Sequence, residues 1–415
     1  MPSRPRALII GGSVGGLLAS ALLRKAGWEA VIFERARGDL AGRGAGLGIS
    51  QDLVDIMHKV GARFDMSSGS AHPSYAWMGK DEKILFEHAR PTVGSTWPRV
   101  YQPLRELAPE EHYRQGMNLV RIEQTDTKVT AYFADGASET GDLLVGADGL
   151  YSTVRRQFLP DVDPVYASYV AWRGIVEETN MPEAVLKAIG HRIVFCYPDG
   201  EMLLCMTVPG TGDDMRPGHR RIYFIWYRPV SRDRLVEMFT DASGKNHGVS
   251  IPPPLIRPEF PAEVKSDAYK LLPACIAEVI NRTPQILLQA VSDLQTPKMV
   301  FGRVALMGDA AFIARPHTAA GVSKAALDAQ CLADELTASD GDVPLALARY
   351  ERQRMAFGQK LCAHSRYLGA FLEARFSPPE DPHTPGLKCD PAQIIRDYGA
   401  QMLLRDAEIS AFQAH

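Results

Sequence analysis

Residues 7–35, ALIIGGSVGGLLASALLRKAGWEAVIFER, constrain the fold more than any other stretch of this chain. The apolar run Ala7, Leu8, Ile9 and Ile10 meets a glycine cluster, Gly11-Gly12-Ser13-Val14-Gly15-Gly16, and small and aliphatic residues then recur at helical spacing. A turn at Gly27 leads into a second apolar run that stops at an acid, Glu34. The pattern reads as strand, glycine loop, helix and strand in one βαβ unit that ends in a ribose acceptor. Gly11, Ser13, Val14, Gly15 and Gly16 would bring backbone against a pyrophosphate, where free N–H groups at a helix N-terminus favour an anion. Ser13 stands where the second glycine of G-x-G-x-x-G is usual, so the bare motif is imperfect. The strand before it, the helix after it and the acid beyond restore its weight. The basic start MPSRPR ahead of an apolar stretch also fits a secretory leader, but glycines interrupt that stretch and it runs on into a strand. A dinucleotide site is the better account.

Length and charge narrow the rest. A chain of 415 residues is long for one core, so two closely packed domains are expected. A net charge of −3 gives no electrostatic reason to expect nucleic acid or an anionic membrane. No run of about 18 uninterrupted apolar residues is present. The cysteines at 196, 205, 275, 331, 362 and 389 lack C-x-x-C or zinc spacing and read as reduced thiols of a cytoplasmic enzyme, with no metal site.

Beyond Glu34 lies a second glycine-rich loop, residues 42–48, which includes Gly46 and Leu47 and suits flat contact with a planar ligand. Periodicity places a helix at 52–60, strands within 74–98, a short helix starting at Leu104, a hairpin at 128–142 and a buried strand from Leu143. Residues 166–290 change to short strands at 169–176, 193–197, 202–208 and 222–227, an antiparallel grammar, followed by a proline-rich loop at 251–261 and a helix at 262–281. The chain then returns to a strand at 303–307, a turn at 308–311 and a long helix from Gly321. Helices fill 343–376, with Leu345, Tyr350, Met355 and Leu361 spaced for burial, and a last helical piece spans 391–412. The expected architecture is α/β. A dinucleotide-binding domain (1–73, 99–165 and 285–340) is interleaved with an antiparallel-sheet substrate domain (74–98 and 166–284), and a helical region (341–415) follows.

Three separated segments carry a family resemblance. The first is the glycine loop with Glu34; the second is Asp148-Gly149-Leu150-Tyr151-Ser152-Thr153-Val154-Arg155. The third is Gly308-Asp309-Ala310-Ala311 with Arg315-Pro316-His317 and, after Gly321, Ala325-Ala326-Leu327-Asp328-Ala329. In this order, over roughly residues 5–375, they resemble the single-component FAD-dependent aromatic hydroxylases, the group A flavoprotein monooxygenases. The resemblance implies a Rossmann-like FAD domain with Glu34 and the neighbouring Arg35 at the adenosine ribose, and Asp309 at the ribityl chain. It also implies Gly308 at the pyrophosphate, Asp148 and Arg155 in a segment serving FAD and NAD(P)H, and Gly46 and Leu47 along the cofactor. Pro316, Gly321 and Val322 would lie beside the isoalloxazine. Asp148 has a competing role, holding its own turn. The chain departs from the family at four places: Tyr101 replaces a frequent arginine, Phe312 a histidine, Thr318 a glycine and Ser323 an asparagine.

The chemistry so implied belongs mainly to the cofactor. NAD(P)H, as NADH or NADPH, reduces non-covalent FAD. The reduced flavin captures O2 as a C4a-hydroperoxide, and that oxygen passes to a small electron-rich ring of hydroxypyridine or phenol type. His317 is the first candidate to hydrogen-bond or deprotonate the substrate hydroxyl. Tyr197, Cys205 and Tyr227 sit on strands whose alternate residues would face the pocket, with core packing as the competing role. Trp172 and Arg173 are candidates to gate the pocket, Arg173 equally for a salt bridge in the sheet, and Gly48 leaves room for a moving flavin. Apolar helices beyond residue 377 leave a homodimer open. Other readings stay in view: a reductase, an oxidase, decarboxylative or Baeyer–Villiger oxygenation, or a dinucleotide-binding protein without turnover. Residues 224–229 do not match the W-x-W-x-I-P segment of flavin halogenases.

Overall fold

The computed structural model describes residues 4–38, 40 and 46–400. Most of the second glycine loop (41–45) and the end of the expected last helix (401–412) therefore lie outside the described residues. Two large sheets share the chain. The six-stranded sheet runs in the order Val300–Phe301, Val304–Leu306, Leu143–Gly146, Arg6–Ile10, Glu29–Glu34, Tyr113–Gln115, and only the first pair is antiparallel. Its central strands are buried end to end, as parallel strands covered on both faces must be. The register pairs Ile10 with both Phe33 and Gly146, so the glycine loop, Glu34 and Asp148 emerge at the same carboxyl edge. Ligands of such sheets bind there.

The helix Val14–Lys25 packs beside the helix Gly321–Ala338, with Gly15 facing Ala325; a Cβ at Gly15 would stand 3.3 Å from the Ala325 methyl. The nine-stranded sheet contains, in order, Phe312–Ile313, Ile286–Gln295, Val165–Glu177, Arg221–Pro229, Met202–Val208, Ile193–Cys196, Ser70–Met78, Ile84–Thr96 and Gly46–Ile49. It is antiparallel except where Ile193 pairs in parallel with Tyr75. One face carries Trp172, Leu203, Cys205 and Phe224 against the helices Glu183–Ile189, Glu259–Leu271 and Ala274–Arg282. The other carries Tyr169, Phe195, Met206, Tyr223 and Tyr227 against Leu368, Phe371, Ile394 and Tyr398.

Several expectations shift. The second glycine stretch is not all loop: Gly46–Ile49 forms the edge strand of the large sheet, pairing Gly48 with Gly94. The domain borders move with it, since Gly46–Ile49, the start of Ser70–Met78 and all of Ile286–Gln295 belong to the nine-stranded sheet. The helix expected to begin near Leu104 is Trp97–Glu106, opened by Pro98 and containing Pro103. The helix expected at 262–281 is broken by Pro273 into Glu259–Leu271 and Ala274–Arg282. One continuous helix, Val343–Glu373, buries Tyr350 and Leu361 but leaves Leu345 exposed in its first turn. The helix Pro391–Asp397 lays Ile394 and Ile395 on this chain's own sheet, so these two side chains are not free to pair subunits. Among the described residues no helix is long and apolar enough to cross a membrane, and no group of three or more His, Cys, Asp and Glu is placed to hold a metal.

Candidate active site

Close packing dictates the glycine loop. Gly11 has φ +107°, and a Cβ there would lie 2.4 Å from the Ala147 carbonyl oxygen; a Cβ on Gly16 would lie 1.9 Å from the Gly11 carbonyl. Glu34 is buried and pins the loop from below, accepting from the Gly12 N–H at 2.7 Å and the Ala36 N–H at 2.8 Å. Tyr113 donates its hydroxyl to the Gly12 carbonyl at 3.0 Å. The helix that starts at Val14 has Ser13 as its N-cap without a side-chain cap, and no acid in its first turn. Its N–H groups are left for a ligand anion. A cavity of about 330 Å³ opens above, lined by Gly11, Ser13, Glu34, Arg35, Trp97 and Asp148.

Asp148 and Arg155 serve the scaffold. The Asp148 carboxylate accepts from Ser152 Oγ at 2.5 Å and from the N–H groups of Thr153 at 2.7 Å and Val154 at 3.2 Å, so it holds its own turn at the cavity edge. Burial raises its carboxyl against the lowering effect of those bonds. Arg155 departs from its expected contact with cofactor. Its buried guanidinium donates to the carbonyls of Val162 (3.2 Å), Ala310 (3.1 Å) and Leu150 (2.7 Å), tying the second segment to the third. Tyr101 lies beneath the cavity, stacked on Trp97 with centroids 4.6 Å apart, and it is Trp97 that lines the space.

The third segment lies where the two sheets meet. Gly308 donates its N–H to Asp328 at 2.9 Å, and Asp328 is held by Arg354 at 2.6 Å. Asp309 presents a half-exposed carboxylate whose partner is Lys324 at 3.2 Å; Lys324 itself is buried and also donates to the Phe312 carbonyl. Pro316 opens a tight turn, Pro316–Thr318, and Ala319 follows at φ +49°. The helix from Gly321 and Val322 begins with no side-chain cap and no acid in its first turn. Across a small cavity of about 40 Å³, a Cβ on Gly48 would stand 3.8 Å from the Ala319 methyl. Gly46 is required by Tyr223, whose ring would meet its Cβ at 2.6 Å.

On the face of the large sheet that packs against the Val343–Glu373 helix, His317 is fully buried. Its Nε2 is 2.7 Å from the Tyr169 hydroxyl, and its ring centroid is 4.5 Å from that of Tyr227 and 6.4 Å from that of Tyr398. Burial, with the Arg315 charge behind it, drives the imidazole pKa down to about 3, so it is neutral. Tyr197 joins the same aromatic wall through Phe195, centroids 6.3 Å apart, and its buried hydroxyl has no partner. Burial raises the hydroxyls of Tyr197 and Tyr227 far above the ordinary tyrosine value, so both stay protonated. Cys205 does not belong here. Strand alternation turns it to the opposite face, toward Trp172 and Phe224, where burial pushes its thiol up.

The family description "FAD binding domain-like" matches residues 166–293, and "FAD binding domain" matches residues 261–365. The 2,6-dihydroxypyridine 3-monooxygenase of Paenarthrobacter nicotinovorans is 29% identical over 384 residues, covering 89% of this chain and 94% of its own. By likeness along nearly its whole length the chain is an FAD-dependent monooxygenase. The 6-hydroxynicotinate 3-monooxygenase of Pseudomonas fluorescens is 25% identical over 377 residues, covering 87% of this monooxygenase and 90% of itself. The solved structure of 2,6-dihydroxypyridine-3-hydroxylase from Arthrobacter nicotinovorans superposes with a TM-score of 0.83 at 26% identity, over 94% of this chain and 98% of that one. FAD is the cofactor of this flavoprotein hydroxylase and NAD(P)H its reductant. The loop that no Cβ can enter, the cavity above it and the two uncapped helix N-termini fit that group.

Residues that sequence reasoning missed include Lys324, Tyr169, Tyr398, Trp97 and Tyr113. Lys324 carried a signal, a lone cation in an apolar helix turn. Tyr398 carried none, because its place over His317 depends on how the last helix docks.

Proposed function

We propose that this monooxygenase hydroxylates a small electron-rich ring of the hydroxypyridine or phenol type. The reading is carried by the aromatic wall of His317, Tyr227, Tyr169 and Tyr398 at the turn that starts with Pro316, beside the uncapped helix from Gly321. The two curated relatives act on rings of this kind by name.

Bound FAD would supply the activation of O2. The glycine loop, Ser13 and the N-terminus at Val14 would hold its pyrophosphate, Glu34 and Arg35 its adenosine end, and Asp309, set by Lys324, its ribityl chain. The N–H groups at Gly321 and Val322 would stabilise negative charge on the flavin edge. Phe195, Tyr227 and Tyr398, which share one apolar cluster, would exclude water from the ring. His317, neutral and within the turn, would offer a nitrogen to the polar edge of the substrate. Within the described residues all six cysteines are free thiols, which supports a reducing compartment such as the cytoplasm.

A screen of hydroxypyridines, phenols and aromatic acids for stimulated NAD(P)H oxidation, with products weighed by mass spectrometry, tests this reading. A hydroxylated hydroxypyridine or phenol is expected. Stimulation only by rings lacking a hydroxyl or amino donor would reject it.

A further inference from the structure

The contact between Tyr169 and His317 is built with more care than core packing requires. A bulge between Tyr166 and Val170, with Ser168 at φ +62°, interrupts the register of the Val165–Glu177 strand next to Tyr169. The facing helix has a glycine at the contact: a Cβ on Gly369 would stand 2.5 Å from the Tyr169 hydroxyl oxygen and 3.0 Å from His317 Nε2. Behind Tyr169 lies Arg315, its guanidinium carbon 5.8 Å from the ring centre. Arg315 is fixed by Asp293 at 2.8 Å and Glu373 at 2.7 Å, and Asp293 also holds Arg366 at 2.9 Å.

This chain of groups has a direction. The guanidinium charge behind Tyr169 repels the hydroxyl proton, which turns to the hydroxyl's hydrogen-bond neighbour, His317 Nε2. A neutral imidazole that accepts at Nε2 carries its hydrogen on Nδ1. In the structure Nδ1 is buried and has no hydrogen-bond partner.

We propose that Tyr169 is a positioning residue that locks His317 in the Nδ1–H tautomer, so that His317 meets substrate as a hydrogen-bond donor and not as a base. The matching ligand edge is an acceptor: a pyridone-type carbonyl, an unprotonated ring nitrogen or an oxyanion. The proposal rests on the ring-hydroxylase reading for what the donor meets, but the tautomer itself is independent of it. The groups that face the imidazole agree with a neutral ring. Arg315 comes from its own turn, Tyr169 and Tyr227 from the sheet, Tyr398 from the C-terminal segment, and glycine alone from the Val343–Glu373 helix at the contact. Asp293, Glu373 and Arg366 act only through Arg315.

Long-range proton–nitrogen correlation spectra of the FAD-loaded enzyme, labelled with ¹⁵N only in histidine, test it. The His317 signals are those lost in His317→Gln. The expected pattern is Nδ1–H, unchanged from pH 6 to 9, and shifted toward Nε2–H or a mixture in Tyr169→Phe. An Nε2–H or doubly protonated ring in the unaltered enzyme overturns the proposal, as does an unchanged tautomer in Tyr169→Phe. If Tyr169→Phe does not fold, Gly369→Ala presses on the same contact and is read in the same way. Failure of the hydroxylation screen would leave this spectrum standing, so the two readings fail separately.

Discussion

Gly16 and Arg155 show what single residues contribute and how far each was legible. Gly16 was read from its motif as a place where backbone approaches phosphate, and the structure adds a second demand, contact with the Gly11 carbonyl at a distance no methyl can share. Gly16→Ala is expected to cost about 2–3 kcal/mol in urea unfolding and to lower FAD retention, since the loop must move to admit a side chain. Arg155 was legible as part of a fingerprint but not in its role, because a motif does not reveal which way a guanidinium points. Arg155→Met leaves three carbonyls without their donor and is expected to cost about 3 kcal/mol by the same measurement, with FAD still bound by the molecules that fold. Wild-type stability in that variant would show that the three bonds carry no load. Cys205 was misplaced for a simpler reason. Strand alternation fixes that residues 203 and 205 share a face, but not which face looks toward the cofactor.

Elements were most legible where periodicity is strong and least where proline sets the boundaries. The helix Gln51–Val60 agrees with its apolar stripe because Ser50 caps its start, accepting from the Leu53 N–H at 3.3 Å, and Gly61 ends it at φ +88°. Trp97–Glu106 was missed at its start because Pro98 looks like a breaker while serving as a first-turn residue. The bulge at 166–170 was invisible, since nothing in Ser168 marks a left-handed residue. There Ser168→Gly relieves the positive φ and is expected to gain about 0.5–1 kcal/mol at most, whereas Ser168→Val, β-branched at φ > 0, is expected to lose more than that. Both are read from denaturant midpoints. Equal stability of the two variants would contradict the conformation assigned to this turn. Gly369→Ala, acting across elements, is expected to lower the product formed per NAD(P)H oxidised while leaving FAD affinity in place.

At the scale of the molecule, the order of three fingerprints was enough to foresee a parallel nucleotide sheet and an antiparallel partner. It did not reveal that Gly46–Ile49 crosses to the edge of the partner sheet, because a four-residue strand of two glycines has no periodicity to read. Burial of one histidine has a consequence for the whole fold. His317 has a pKa of about 3 in the folded protein against an ordinary value near 6.5, so the unfolded chain takes up a proton between those limits and the folded one does not. Stability therefore falls as pH drops from about 6.5 toward about 3, by roughly 4–5 kcal/mol if the whole shift is realised. His317→Gln should flatten that slope by about one proton, measured as unfolding free energy against pH at 0.5-unit steps. A slope identical to wild type would show that the ring is protonated in the fold.

The central claim is that the three segments close around FAD and present it to an aromatic pocket where O2 is split onto a ring. The most direct test is turnover of the purified, FAD-loaded enzyme with NAD(P)H, a hydroxypyridine such as 2,6-dihydroxypyridine and ¹⁸O2, followed by mass spectrometry of the product. One ¹⁸O atom is expected in the ring product for each NAD(P)H oxidised in coupled turnover. A product whose new oxygen comes from water, or protein that stays colourless after incubation with FAD, would contradict it.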